Sequence, residues 1–407
     1  MVNYPKDWEI TDIGSCVQIF QGGTPRTTNE AYWNGNIVWI TPGEITQLDN
    51  LFVKDSERKI TDLGLQNSSA TLLPSGTILL CTRATIGALA IAAKPLTTNQ
   101  GFKNLVCNKN IYNIFFSYLL RACMDEMLSK AIGTTFLEIS KSTLSKIVVH
   151  IPDYKEQQAI ADALTAFDTH INNLSKLIEK KKMIRDGAVE DLVSGKRRLA
   201  GFSGKWEEVN LRDICVENGL VRGPFGGSLK KECFVSKGYK VYEQKNAIYG
   251  DVNIGNYYIG DQKFEELKRF ELKKDDFIVS CSGTIGKIHR MPCNFEKGII
   301  NQALLKITLD SAKCNLDFFN IYFKWQKFQM KIIDDTQGGA IKNLVGMDKF
   351  KRTMLYIPTS LSEQQAISDI LTAMDKEISD LEEEKEKYIA LKAGAMDDLL
   401  TGKIRLV

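Results

Sequence analysis

The side chains best suited to chemistry in this chain are polar and basic, and they sit in glycine-rich turns. One set is Thr24, Arg26, Thr27 and Thr28 after Gly22-Gly23, with Arg83 and Thr85 in a second turn closed by Gly87. The other is Arg222, Ser228, Lys230 and Lys231 around Gly223-Pro224-Phe225-Gly226-Gly227, with Ser282 and Thr284 in a turn closed by Gly286. Guanidinium, ammonium and hydroxyl groups on exposed loops are those that bond phosphate oxygens and the edges of bases. The glycines have a plainer use, which is to permit tight turns. Asn99-Gln100 and Asn301-Gln302 follow the two pairs of turns. Their amides can equally bond backbone inside a fold.

Groups that make or break covalent bonds are harder to assemble. No Gly-x-x-x-x-Gly-Lys-Ser/Thr loop exists to cradle phosphates. The nearest approach, Gly283-Thr284-Ile285-Gly286-Lys287, has the wrong spacing and reads as a turn between strands. Neither an Asn-Pro-Pro-aromatic base-holding tetrapeptide nor a Gly-x-Gly-x-x-Gly cofactor loop occurs. Three histidines, His150, His170 and His289, are a poor stock for a histidine-centred triad. Nine scattered cysteines contain no Cys-x-x-Cys, which argues against a disulfide framework or a structural zinc site and suits a reduced compartment. Asp153 before Glu179-Lys180 has a spacing some metal-dependent nucleases use, but the latter pair falls far along a helix and cannot share a metal with Asp153. The pattern is that of a recognition protein.

The elements that must position these residues come in duplicate. Residues 156–199 and 363–406 align at an offset of 207 without gaps, with 22 of 44 positions identical. Both begin Glu-Gln-Gln-Ala-Ile, after Ile151-Pro152 and Ile357-Pro358, and both end Gly-Lys-x-Arg-Leu. Ile160, Leu164, Phe167, Ile171, Leu174 and Ile178 recur at alternating steps of four and three, as do Ile367, Leu371, Met374, Ile378 and Leu381. That is the apolar seam of a coiled coil. In the second half of each helix the same register meets Lys181, Arg185, Lys385 and Lys392, so the seam is imperfect there. Some 38 residues make a rod of about 57 Å, ending where Gly195 and Gly402 suit a left-handed cap. The two helices are expected to pair with each other; the alternative is that each packs on its own domain.

The intervening segments repeat more faintly. Each opens Trp-Glu (Trp8, Trp206), runs through a glycine-rich turn, and has an apolar strand leading into Ala84-Thr85-Ile86-Gly87 or Gly283-Thr284-Ile285-Gly286. Each then has Asn-Gln and a helix-like stretch, near 112–131 and 316–333. Strand, turn, strand and helix imply a mixed α/β (α+β) domain. The expected organisation is a domain at 1–152, a long helix at 153–199, a second domain at 200–358 and a second helix at 359–407, with the helices paired as an antiparallel coiled coil in a pseudo-twofold repeat.

The chain carries a net +3, unevenly spread: +6 over residues 200–356 and −5 over 357–407. A basic region is compatible with nucleic acid and also with a solvated lysine-rich surface. No run of 18 apolar residues suggests a membrane span, and Met1–Trp8 lacks the basic and apolar regions of a signal peptide. A cytoplasmic location is expected.

The ordered set of motifs, twice over, resembles the specificity subunits of type I restriction–modification systems. The resemblance covers the whole chain. It implies two target-recognition domains, each reading half of a bipartite site in double-stranded DNA, and two conserved helices acting as ruler and docking surface. It implies two DNA-methyltransferase subunits as partners, joined by restriction and translocation subunits. S-adenosylmethionine, ATP and magnesium belong to those partners, and none is expected in this chain, which is non-catalytic by itself. Motifs common to both domains suit scaffold better than base reading, because the two must read different sequences. Arg83 against Ser282 is the difference of interest. Glu156, Gln157 and Gln158, with Glu363, Gln364 and Gln365, lie at helix starts, where they either match the helix dipole or contact partners. Two rival readings are a non-catalytic scaffold that binds proteins through two lobes on a coiled coil, and a self-contained DNA enzyme.

Overall fold

The computed structural model describes residues 4–48, 50–83, 85–131, 137–225, 227–334 and 343–406. Ala84 and Gly226, which the sequence places in the polar turns, lie outside the described residues. The chain divides into two compact units, Met1–Ile178 with Asp380–Val407, and Glu179–Ser379.

Unit one is built on a five-stranded sheet in the order Val17–Gln21, Phe102–Cys107, Ile78–Cys81, Leu89–Ala92 and Phe52–Val53. Its pairs are antiparallel except the last. Ile78, Leu79, Leu80 and Cys81 are buried without alternation, so both faces of this strand are covered. One cover is the helix Asn113–Ala122, which puts Phe115, Phe116, Tyr118 and Leu120 into the core. A three-stranded sheet follows, Lys59–Ile60, Trp33–Ile40 and Thr97–Thr98, and Glu9–Asp12 pairs with Val148–Ile151.

Unit two repeats this plan. Its first sheet runs Cys215–Arg222, Leu304–Leu309, Phe277–Ser280, Ile288–Arg290. Its second runs Phe234–Val235, Tyr258–Ile259, Tyr239–Tyr242, Gly298–Ile300. Trp206–Asn210 pairs with Met354–Pro358 as Glu9–Asp12 does with Val148–Ile151. One parallel pair is common to both: Trp39 with Thr97 in unit one, and Lys240 with Gly298 in unit two. The helix-like stretches are each two helices, broken at Cys123 and at Trp325. The mixed α/β fold is thus duplicated in its central strands, with Phe52–Val53 added at one edge in unit one and Phe234–Val235 at another in unit two.

The long helices are Tyr154–Val193 and Leu361–Leu400, and each contributes to both units. Gly195 and Gly402, just beyond them, are left-handed (φ 73° and 69°). Inside unit one, Asp168 meets Lys392, and His170 meets Glu384 at 3.5 Å. Inside unit two, Lys181 meets Glu377 at 2.6 Å and Arg185 meets Asp375 at 2.7 Å. Residue numbers rise on one helix as they fall on the other, so the pair is antiparallel. Ile160, Leu164, Leu174, Ile178, Ile367, Leu371 and Ile378 are buried, whereas Phe167, Ile171, Met374 and Leu381 are half-buried. Of the cations in the seam, Lys181, Arg185 and Lys392 each meet a carboxylate on the facing helix. Both expected modes of packing occur: Ile160 and Leu164 enter the core of unit one, and Ile367 and Leu371 that of unit two.

Candidate nucleic-acid interface

Three turns converge at one end of each five- or four-stranded sheet. In unit one, Gly23 N–H donates to Thr98 O at 2.9 Å, and Thr82 N–H donates to Gly101 O at 2.9 Å. These bonds bring the turns at 22–28 and 82–87 to the Asn99-Gln100 turn. Gly22 is required by this approach, since a Cβ there would stand 1.9 Å from Asn99 O. Two indoles fix the first turn: Trp39 Nε1 donates to Gly23 O at 2.9 Å and Trp33 Nε1 to Arg26 O at 3.3 Å. The turn presents Arg26, Thr27 and Thr28 to solvent, while half-buried Thr24 donates to Gln100 Oε1. Arg83 and Thr85 are exposed on the neighbouring hairpin.

Unit two reproduces the arrangement. Gly223 N–H donates to Leu304 O at 2.9 Å, Cys281 N–H donates to Ala303 O at 2.9 Å, and a Cβ on Gly223 would stand 1.8 Å from Asn301 O. Lys230, Lys231 and Thr284 are exposed, and Ser282 is half-buried. Ser228 is half-buried, its Oγ donating to Phe225 O at 2.6 Å within the loop. Arg222 is half-buried on its strand, with its guanidinium 5.9 Å from the Phe225 ring centre and its Nε bonded to nothing among the described residues. The Gly283–Lys287 stretch is a hairpin tip, closed by Gly286 N–H to Ser280 O at 2.9 Å.

The Asn-Gln pair divides its labour. Asn99 Oδ1 accepts from Gly101 N–H at 2.8 Å and Asn301 Oδ1 from Ala303 N–H at 3.0 Å, so both asparagines hold the turn. Gln100 and Gln302 stand exposed beside it. Phe225, 65% exposed in the basic loop of unit two, is another surface group that sequence periodicity does not reveal. Burial pushes the Cys81 and Cys281 thiols, at the bases of the hairpins, up to about 12. Neither is a thiolate at neutral pH. Among the described residues, no group of three or more His, Cys, Asp or Glu is placed to hold a metal ion. Asp153 Oδ1 accepts from the N–H groups of Lys155 (2.8 Å) and Glu156 (3.0 Å), a helix cap.

A family model, "Type I restriction modification DNA specificity domain", matches residues 5–182 and again 203–391. The chain belongs to that family. It is 39% identical to the type I restriction enzyme MjaIX specificity subunit of Methanocaldococcus jannaschii over 174 residues, which are 42% of this chain and 40% of that protein. The MjaVIII specificity subunit of the same organism is 23% identical, with 99% of this chain and 94% of that protein covered. The crystal structure of a type I system S subunit from M. genitalium shares the fold, with a TM-score of 0.58 at 18% identity over 98% of this chain and 97% of that one.

The helix-start triplets of this specificity-family chain are placed differently from the docking expectation. Glu156, Gln157, Glu363 and Gln364 are buried, at 1% exposure or less. Glu156 accepts from Trp8 Nε1 at 3.2 Å and from both nitrogens of the Arg405 fork, at 2.5 and 2.8 Å. Glu363 accepts from Trp206 Nε1 at 3.2 Å and from Arg198 at 2.6 and 2.8 Å. Gln157 accepts from Tyr112 N–H and Gln364 from Asn315 N–H, and each donates to the proline carbonyl before its helix. These four side chains are buried and engaged inside the chain, in the capping and packing role rather than on an outer face. Of the triplets only Gln158 and Gln365 face solvent. The opening tryptophan, the glutamate and the terminal arginine, three separate motifs in sequence, form one bonded node in each unit.

Proposed function

We propose that this chain reads a bipartite DNA site for a type I restriction–modification complex. Residues 1–152 and 200–358 act as target-recognition domains, and residues 153–199 and 359–407 as the helices that set the unspecified spacer. Each convergent end reads one half-site. Arg26, Thr27, Thr28, Arg83 and Thr85 serve the first; Lys230, Lys231 and Thr284, with Arg222 and the less exposed Ser228 and Ser282, serve the second. Thr24 orients Gln100. Two methyltransferase subunits dock on the helices and bring S-adenosylmethionine, and restriction subunits bring ATP and magnesium chemistry. The chain supplies specificity without catalysis, in the cytoplasm where the DNA lies. Among the described residues no helix is long and apolar enough to cross a membrane.

The observation that carries this reading is the duplication of one turn constellation on one scaffold with different exposed side chains. Shared backbone with unlike loops is what reading two unlike half-sites requires, since phosphate contacts set register and base-edge contacts carry sequence. The test is a genome-wide adenine-methylation map in cells holding the methylation subunits, with and without this chain. A two-part motif that depends on the chain is expected. Confirmed assembly without any motif overturns the reading.

A further inference from the structure

The reading end of unit two carries two polar residues that belong to no repeated motif. In unit one the strand Trp33–Ile40 ends beside the Asn-Gln turn, where Asn99 N–H donates to Ile40 O at 3.0 Å. In unit two Asn301 N–H donates to Tyr242 O at 2.9 Å in the same way. A short helix with a capping box follows each strand, Thr41 with Glu44 and Glu243 with Asn246. Thr41-Pro42 and Glu243-Gln244 are therefore equivalent backbone positions. Pro42 packs on Gly101, whose added Cβ would stand 3.0 Å from Pro42 Cγ, and it offers no polar side-chain group. Gln244 instead lies against the turn bearing Ser282 and Thr284, since a Cβ on Gly283 would stand 3.9 Å from Gln244 Nε2. Gln244 Oε1 is buried and accepts no hydrogen bond among the described residues. Glu243 is held by Lys245 at 2.8 Å and lines a pocket of about 460 Å³ with Lys231, Tyr257 and Gln302.

We propose that Gln244 and Glu243 are specificity-determining residues for the half-site read by unit two, and that they take the exocyclic amino group of an adenine or cytosine. The inference rests on the proposed function. A buried amide oxygen without a donor is costly to leave so. On the major-groove edge the base donors are adenine N6 and cytosine N4. Glutamine bonds adenine at two points and glutamate accepts from cytosine. The two units share their scaffold, so what they read must come from positions where equivalent backbone carries unlike side chains. Thr41-Pro42 against Glu243-Gln244 is such a position, and it lies beside the turn that carries Ser282 and Thr284.

The experiment compares wild type, Gln244→Leu, Gln244→Glu and Glu243→Gln, each assembled with the methylation subunits. Methylation is mapped in cells, and the purified complexes are titrated with duplexes varied at every position of both half-sites. The expected result is a roughly five- to hundredfold loss or change of base discrimination at one or two positions of one half-site. Discrimination at the other half-site stays unchanged. Gln244→Glu keeps the shape and size of the side chain, so it tests the contact even where Gln244→Leu disturbs the helix start. Unaltered discrimination in all the variants overturns the inference and leaves the proposed function standing. A wild-type complex that shows no two-part motif overturns the function instead.

Discussion

Glu363 has no exposed side-chain surface, and its charge is met by Arg198 and the Trp206 indole. Removing the cation strands a buried carboxylate, a change that costs about 3 kcal/mol or more. Arg198→Met should therefore lower the melting temperature markedly in differential scanning fluorimetry, and Arg405→Met should do the same through Glu156. Equal melting of variant and wild type would show that water or another group takes the cation's place. Lys230 and Lys231 are exposed and belong to the basic loop. Each replaced by Ala should reduce the slope of log affinity against log salt by about 1 if it contacts phosphate. An unchanged slope places it away from the backbone. At this scale the sequence was only partly readable. Residue type and turn context predicted exposed Arg26, Arg83 and Lys230. They gave no warning that Glu156 and Glu363 are buried, because the arginine and tryptophan that make burial tolerable lie more than 140 positions away.

Among the elements, the long helices were the most legible. Steps of four and three marked the seam through Ile178, and the glycine caps fall where expected. Beyond it the pattern yields to Arg185–Asp375 and Lys181–Glu377, pairs visible only once the helices face each other. Four residues inserted after Leu174, about one turn, should lengthen the unspecified spacer of the methylated motif while leaving both half-sites intact. An unchanged spacer would remove the helices from that role. The strand Ile288–Arg290 carries a titratable group, His289, whose imidazole is held below its usual value by burial and then by Lys324. The folded unit then binds fewer protons at His289 than the unfolded chain does. Its stability is full above the unfolded value near 6.5 and declines as pH falls below it. His289→Gln should flatten the decline in melting temperature between about pH 7.5 and 5.5; an equally steep decline assigns it to other groups.

At the scale of the molecule the duplication runs deeper than the identities suggest. Outside the helices the two halves share a few short motifs, yet the order of their central strands and one parallel pair agree. Hydrogen-bonded backbone tolerates many side chains provided the apolar faces persist, so sequence fades before topology does. What repeats is held by Gly22 and Gly223, where any side chain would strike the Asn-Gln turn. What differs, such as Pro42 and Gln244, is free to diverge and is invisible without the backbone equivalence. The make-up of the two units also sets an order of events during synthesis. Unit two is a single stretch, Glu179–Ser379, whereas unit one needs Asp380–Val407 as well as Met1–Ile178. At about 5–20 residues per second, the ribosome delivers Arg405 to Glu156 roughly 10–50 s after the first helix emerges. Until then the nascent first lobe holds a carboxylate whose counter-ion has not been translated, and the part of the chain made later is the first able to close.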